Sequence, residues 1–323
     1  MKQRQVVTNG VSLNVIEDGE GPAVLFVHGF PDGWRGWRRQ MAAVVSAGYR
    51  AISLDMRGYG ASSKPDDPAL YTVFYCVGDL ISVLDALGIK RSALVGHDFG
   101  AAISWSAAMM RPDRFPAVFC LSVPPMIPGG PSMLEQLKAA GGDDFYMFHQ
   151  MRPEAERAWA DAAITIPGML YWTSGLPSLS DAWDPMNPGK GLTRQSPIGI
   201  PPFAERRDVE AAIADFERDG FRGPLNYYRA IQPYFDQAGA FAGAHIGQPS
   251  FFAFGTWDGL VRMRAVQEPD VARSATDLRG FLSIEGVGHW PQLEASDVVN
   301  RALVEFLGGT HGMNAVAPNS EPA

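Results

Sequence analysis

The sequence predicts an α/β fold: a mostly parallel sheet with helices on both faces and an inserted helical cap. Three observations predict it. Short runs that are apolar on both faces, at 23–27, 51–54, 93–95 and 118–123, alternate with helical patterns. That alternation belongs to parallel strands covered on both sides. The runs stop over residues 131–229 and resume at 250–254 and 282–284. With 323 residues, 46% hydrophobic and 19% charged, the chain suits one large globular domain carrying an insertion.

The chain opens with Val6-Val7-Thr8 and an apolar stretch over 11–16, joined by Asn9-Gly10, a hairpin dipeptide. Asp18 to Pro22 is a turn. Residues 23–27 form a buried strand that runs into the loop His28-Gly29-Phe30-Pro31-Asp32. Trp34, Trp37 and residues 41–45 predict a helix. Residues 51–54 are the next strand, followed by a glycine-punctuated loop over 55–62. Phe74, Val77, Ile81, Leu84 and Leu87 recur at helical spacing. Then comes Ala93-Leu94-Val95, a loop at 96–100, and a helix that reaches Met110 and stops before Pro112. Residues 118–123 are a further strand. Helical stretches follow at 133–140, 154–163 and 209–218, with a long loop rich in Pro, Gly and Ser over 176–203. A final amphipathic helix carries Val298, Ala302, Leu303 and Phe306, with Ser296 as its expected N-cap and Gly308-Gly309 as its close. The expected division is core at 1–130 and 230–308, cap at 131–229, and a loose tail at 309–323.

Bulk properties exclude several functions. The net charge is −8 with no basic block, which argues against nucleic acid and anionic membranes as partners. The two cysteines, Cys76 and Cys120, sit in apolar segments and read as reduced core residues. No Cys/His cluster has zinc spacing, so no metal and no cofactor is expected. There is no charged-then-apolar leader and no run of about 18 apolar residues, so the expected location is cytoplasmic.

Chemistry concentrates at Gly96-His97-Asp98-Phe99-Gly100. Strand, sharp turn and helix with a glycine two residues either side of a central side chain is the layout of a nucleophile elbow. Here the centre is Asp98, a carboxylate that can attack carbon and form an ester. The competing reading is a helix N-cap, which Asp also favours. In this layout the acid and the histidine follow the nucleophile in chain order. Asp258 follows the strand at 250–254, and His289 follows the strand at 282–284 in Gly286-Val287-Gly288-His289-Trp290. Of the other histidines, His28 is expected to make a structural hydrogen bond and His97 to point away from the nucleophile's face. His149 lies in the cap, and His245 and His311 follow no strand. The N–H of Phe99, after the nucleophile, and that of Phe30, in the earlier loop, are the expected oxyanion donors; the alternative for the Phe30 loop is a tight turn.

Together these elements resemble the α/β-hydrolase fold over nearly the whole chain. Within it the chain resembles the epoxide hydrolases, through His28-Gly29-Phe30-Pro31, the Asp98 elbow, Gly288-His289-Trp290 and the cap segment Phe221-Arg222-Gly223-Pro224-Leu225-Asn226-Tyr227-Tyr228-Arg229. The resemblance implies opening of a small hydrophobic epoxide to a vicinal diol through an ester on Asp98. His289, oriented by Asp258, would activate the water. Two cap tyrosines would donate to the epoxide oxygen. Tyr228 matches one, and Tyr146, in Phe145-Tyr146-Met147-Phe148-His149-Gln150, is the candidate for the other; Tyr227 is expected to pack. Trp34, Trp172, Trp183 and Trp290 are the expected pocket residues, with Trp159, Met169, Leu170 and Phe203 either pocket or ordinary cap core.

Two other readings stand beside this one. Haloalkane and haloacid dehalogenases also use an elbow Asp. They need side-chain donors for halide or a cation for a carboxylate, and Phe99 and Phe30 offer neither. A non-catalytic ligand-binding homologue would keep the cap but lose part of the triad, whereas Asp98, Asp258 and His289 are all present. Monomer and homodimer both remain open.

Overall fold

Apolar runs with no polar face must lie between two covering layers, and they become the centre of one sheet. The computed structural model describes residues 1–8, 10–126 and 129–310. Its strands are β1 (Lys2–Thr8), β2 (Val11–Asp18), β3 (Ala23–Val27), β4 (Arg50–Leu54), β5 (Ala93–His97), β6 (Val118–Leu121), β7 (Ile246–Gly255) and β8 (Ala275–Ile284). Their order across the sheet is β1-β2-β4-β3-β5-β6-β7-β8. β2 pairs antiparallel with β1 and β4, and every other pairing is parallel. The carboxyl ends of β3, β5, β6, β7 and β8 therefore share one edge, where sites gather in open α/β sheets. Every residue of β3, β5 and β6 is buried.

The opening hairpin has the expected register, with Thr8 opposite Val11 and Gly10 at φ 78°. Asn9 lies outside the described residues, as do residues 311–323, including His311 and most of the expected tail. β8 is longer than the 282–284 that apolar content marks. It is an edge strand: Thr276, Asp277 and Arg279 break its apolar pattern, and Thr276 and Arg279 fall where its register against β7 shifts.

Helices cover both faces. On one, Trp37, Met41 and Val44 pack with Leu303 and Phe306 of the last helix (Ser296–Gly308). On the other lie helices Val73–Ala86 and Phe99–Met110 and the segment between β6 and β7. In Val73–Ala86 the buried stripe holds the expected Val77 and Leu84 together with Cys76, Leu80 and Val83, while Phe74 and Ile81 sit at its flank. Cys76 and Cys120 are free and buried, as expected. Ser296 is the first residue of the last helix rather than its cap. Ala295 holds the cap position, with no side-chain bond to the helix.

Between β6 and β7 the described residues carry helices and loops only. The helix expected at 154–163 is two, Ala155–Trp159 and Ala162–Trp172, because Asp161 accepts from the Ile164 N–H and starts a new one. The second continues through Pro167, which hid it from the sequence. Helices Tyr146–Met151, Arg222–Arg229 and Ile231–Gln237 were also not expected, and the helical run continues past residue 229 to Phe241. Four ion pairs tie helix Arg206–Asp219 and its entry to the sheet domain: Arg35 to Asp215 (2.9 Å), Arg38 to Asp208 (2.8 Å), Arg39 to Glu205 (2.9 Å) and Lys64 to Asp219 (3.2 Å).

The loop after β4 is anchored by Arg57, whose guanidinium meets Asp79 of helix Val73–Ala86 through two 2.7 Å bonds. Both side chains are buried (1% and 0% exposed). Removing one partner strands the other charge without water. Asp79→Ala is expected to lower stability by about 3–5 kcal/mol, read as a shift in the urea midpoint at unchanged slope.

Candidate active site

β5 ends at His97, and the chain then turns through Asp98 at φ 54°, ψ −123°. Among the described residues only Asp98 and Ser122 are non-glycine residues with positive φ. Such a conformation costs about 1–3 kcal/mol and persists only where the surroundings impose it. The surroundings here are the packed strands. A β-carbon at Gly100 would run into the Val27 carbonyl, and one at Gly96 into the Gly100 carbonyl. The turn closes only because both are glycine.

Asp98 stands at the N-cap position of helix Phe99–Met110 but makes no side-chain cap bond. Its carboxylate instead accepts from the Phe30 N–H (2.8 Å) and lies 3.5 Å from His289 Nε2. This decides between the two readings of the stretch: a capping Asp would have turned back to its own helix. The Phe99 N–H lies in the first turn of that helix, where an N–H has no intrahelical acceptor.

His289 Nδ1 meets Asp258 Oδ2 at 2.7 Å, and Asp258 is fully buried. The other Asp258 oxygen accepts from the Leu260 N–H (2.9 Å), which fixes the carboxylate plane. The expected trio thus assembles from the ends of β5, β7 and β8. Burial disfavours the imidazolium, but the charge and hydrogen bond of Asp258, with those of Asp98, outweigh it and bring the His289 pKa to about 10. Burial likewise pushes Asp98 up, yet its bond to His289, the neighbouring positive charge and the Phe30 N–H leave it below the usual carboxylate range. Each charge thus favours the other, and the pair is biased toward carboxylate and imidazolium.

Asp98, Phe99 and Tyr146 line one cavity of about 390 Å³, walled by Ile103, Val123, Met147 and Ile231. Tyr146 and Tyr228 lie edge to face with ring centroids 6.0 Å apart. Tyr228 in turn packs edge-on against Phe99 (4.8 Å) and Phe30 (5.2 Å). Burial, then the Asp98 charge among other neighbours, pushes both phenols well above their ordinary value, so each is a neutral donor. Tyr227, expected only to pack, donates to the Arg57 carbonyl at 3.0 Å and lines the same cavity, which Tyr228 does not.

The four expected pocket tryptophans do not line this cavity. Trp34 and Trp172 lie under guanidinium groups, of Arg38 (4.4 Å) and Arg194 (3.9 Å) respectively. Trp183 packs edge-on against Tyr146 (5.0 Å) and lines a separate cavity in the helical segment. Trp290 is buried behind the imidazole and donates to Thr173 Oγ1 at 2.7 Å. Each has a packing partner that apolar content alone could not foretell. Trp159 is cap core, its Nε1 donating to Gln150. Met169 and Leu170 line a smaller hollow on the Pro31 side, and Phe203 packs on the core.

His28 makes its structural bonds: Nδ1 to the Gly29 carbonyl (2.9 Å), while Nε2 accepts from the Met56 N–H (2.9 Å). His97 is not idle. Its Nε2 donates to the His289 carbonyl at 2.7 Å, and its ring lies 4.8 Å from that of His289. Burial and the neighbouring His289 charge lower its pKa to about 3, so it stays neutral. Glu294 was also missed. Its carboxylate accepts from the N–H groups of Gly175 (2.8 Å), Gly288 (3.0 Å) and Trp290 (3.0 Å), gathering the loop that carries His289. A glutamate five residues past the histidine has no spacing rule to mark it. Among the described residues no cluster of His, Cys, Asp or Glu could hold a metal ion, and no helix is long and apolar enough to cross a membrane.

Residues 22–296 match the family model of the alpha/beta hydrolase fold, and the chain belongs to that family. It is 52% identical to an epoxide hydrolase of Caballeronia sordidicola over 95% of this chain and 94% of that one. It is 34% identical to epoxide hydrolase A of Mycobacterium tuberculosis, over 95% and 97%. Among solved structures, an epoxide hydrolase from an endophytic Streptomyces superposes with a TM-score of 0.89 at 34% identity, covering 96% of each chain. Within the hydrolase fold, the chain belongs to the epoxide hydrolases.

Asp98→Asn removes one of the two anions facing His289. The imidazolium is then less favoured, so its pKa is expected to fall from about 10 toward the ordinary histidine value. An NMR pH titration of the His289 ring, wild type against variant, reads the shift and its sign.

Proposed function

We propose that the protein hydrolyses small hydrophobic epoxides to vicinal diols through a covalent ester on Asp98. The observation that carries this reading is the Asp98 carboxylate. It is turned away from its own helix, held by the Phe30 N–H and His289, and shares an apolar cavity with Tyr146. Residues 131–229 serve as the cap that brings Tyr146 and Tyr228 over it.

The ionised Asp98 attacks one oxirane carbon from behind and the carbon–oxygen bond opens. Tyr146 and Tyr228 donate to the oxygen as it becomes an alkoxide; a phenol is matched to so basic a leaving group. Esterification neutralises Asp98, so His289 loses one of the two anions that hold its proton. The proton it releases balances the one the alkoxide takes up. Neutral His289, aligned by Asp258, then deprotonates water, which attacks the Asp98 carbonyl carbon while the N–H groups of Phe30 and Phe99 hold the oxyanion. Collapse frees the diol and restores carboxylate and imidazolium. Because the base must be neutral in this second step, turnover declines toward acid.

No side-chain donor accompanies Phe30 or Phe99, which favours an epoxide over a carbon–halogen bond. In a single turnover in heavy-oxygen water, label is expected in Asp98 and none in the diol; label in the diol alone would overturn the ester. Tyr228→Phe is expected to lower kcat/KM on an epoxide about a hundredfold, and Asp98→Ala to abolish turnover. A haloalkane turned over faster than an aryl epoxide would reverse the choice of substrate.

A further inference from the structure

β6 ends at Leu121, and Ser122 follows at φ 67°. A serine gains nothing locally from this left-handed conformation, which costs about 1 kcal/mol or more for a residue with a β-carbon. Strain of this kind is kept where the surrounding structure uses it. The Ser122 N–H donates to the Ala253 carbonyl of β7 (2.9 Å), which extends the sheet pairing by one residue. The reversed backbone then sends the side chain to the histidine loop, where Ser122 Oγ donates to the His289 carbonyl at 2.9 Å. Ser122 is 1% exposed, so no bulk water stands ready to replace that bond.

The same carbonyl accepts from His97 Nε2 at 2.7 Å, and the His289 N–H donates to the Thr173 carbonyl at 2.8 Å. The backbone of His289 is thus tied to β5 through His97, to β6 through Ser122 and to the helical segment through Thr173. Its ring is tied to the end of β7 through Asp258. A 3.5 Å gap separates Nε2 from Asp98, so a shift of the ring by a fraction of an ångström changes how it can meet both the carboxylate and a water beside it.

We propose that Ser122 is a positioning residue for His289, and that its strained backbone is retained to bring its hydroxyl onto the His289 carbonyl. This rests on the ester mechanism above, in which His289 is the base of the second step only. The His289 charge that keeps Asp98 ionised for ester formation acts through space and tolerates a small shift of the ring, whereas proton abstraction from water does not, so the contribution of Ser122 falls on hydrolysis of the ester. That division has a kinetic signature which a merely structural residue lacks. Slowing the second step alone lowers kcat and KM together, leaves kcat/KM unchanged and lets the ester accumulate.

Two variants separate hydroxyl from strain. Ser122→Ala removes the hydroxyl and keeps the strain. Ser122→Gly removes both and is expected to melt at the higher temperature of the two. Both are expected to lower kcat about tenfold or more, since small misplacements of a reacting group cost up to about a hundredfold. In both, kcat/KM should match the wild type, and intact-protein mass after rapid quench should show the epoxide's mass added during steady turnover. His289→Gln is the control for the underlying reading. No adduct there would overturn the ester mechanism and this inference with it. An adduct there, with kcat unchanged in Ser122→Gly or with kcat and kcat/KM falling together, would overturn the placement of Ser122 alone.

Discussion

The site depends on one buried ion pair with a gap in it: the Asp98 carboxylate and the His289 imidazolium, 3.5 Å apart. A carboxylate 8% exposed would ordinarily protonate. It stays ionised because the Phe30 N–H and the His289 charge face it, and His289 stays charged because Asp258 and Asp98 face it. Each group favours the charged form of the other, which is the form the proposed first step would need. Under the proposed mechanism the same coupling would make the second step available: an ester at Asp98 would remove one of the two anions that support the imidazolium, and His289 would become a base. The exchange of roles would then need no conformational change, because the bond to Asp98 would itself produce it.

Phe30 and Phe99 enter this geometry in two ways. The Phe30 N–H donates to the Asp98 carboxylate at 2.8 Å, and under the proposed mechanism it and the Phe99 N–H would hold the oxyanion. Their rings pack edge-on against Tyr228, at 5.2 Å and 4.8 Å. Such contacts add about 0.5–1.5 kcal/mol each beyond area burial, and they leave the phenol little freedom to rotate away from the nucleophile. A phenylalanine after the nucleophile reads in the sequence only as a missing halide donor. In the folded protein it is also the floor on which the cap tyrosine rests, which links absence of one chemistry to support for another.

What was legible in the sequence follows from how local the cause is. β3, β5 and the Asp98 turn could be read because burial on both faces and the glycine spacing are properties of consecutive residues. Asp258 and His289 could be read because parallel strands put their carboxyl ends on one edge. The helix over Ala162–Trp172 could not, since Pro167 is a breaker by local rules and tertiary packing overrides it. Trp34, Trp172, Trp183 and Trp290 were misplaced for a related reason. Apolar bulk says that a side chain will be buried, and only the fold says against what. His97 and Ser122 act on the carbonyl of a residue far along the chain, and Glu294 joins the nearby Gly288 and Trp290 N–H groups to that of distant Gly175; no residue pattern encodes a bond to a distant carbonyl or N–H.

That last group also explains how a histidine on a loop can be placed as firmly as one on a strand. Loops are ordinarily the mobile part of a site. Here the loop after β8 carries its catalytic side chain over a carboxylate, Glu294, that collects N–H groups from both the loop and the segment beside it. Trp290 is pinned to Thr173, and the His289 backbone is bonded on both its donor and its acceptor side. Thr173 ends the helix Ala162–Trp172, so the histidine loop is fastened to the helical segment that also covers Asp98. Ion pairs from Arg35, Arg38 and Arg39 fasten that segment to the sheet on the other side. Histidine, nucleophile and the tyrosines above them are therefore held in one continuous frame.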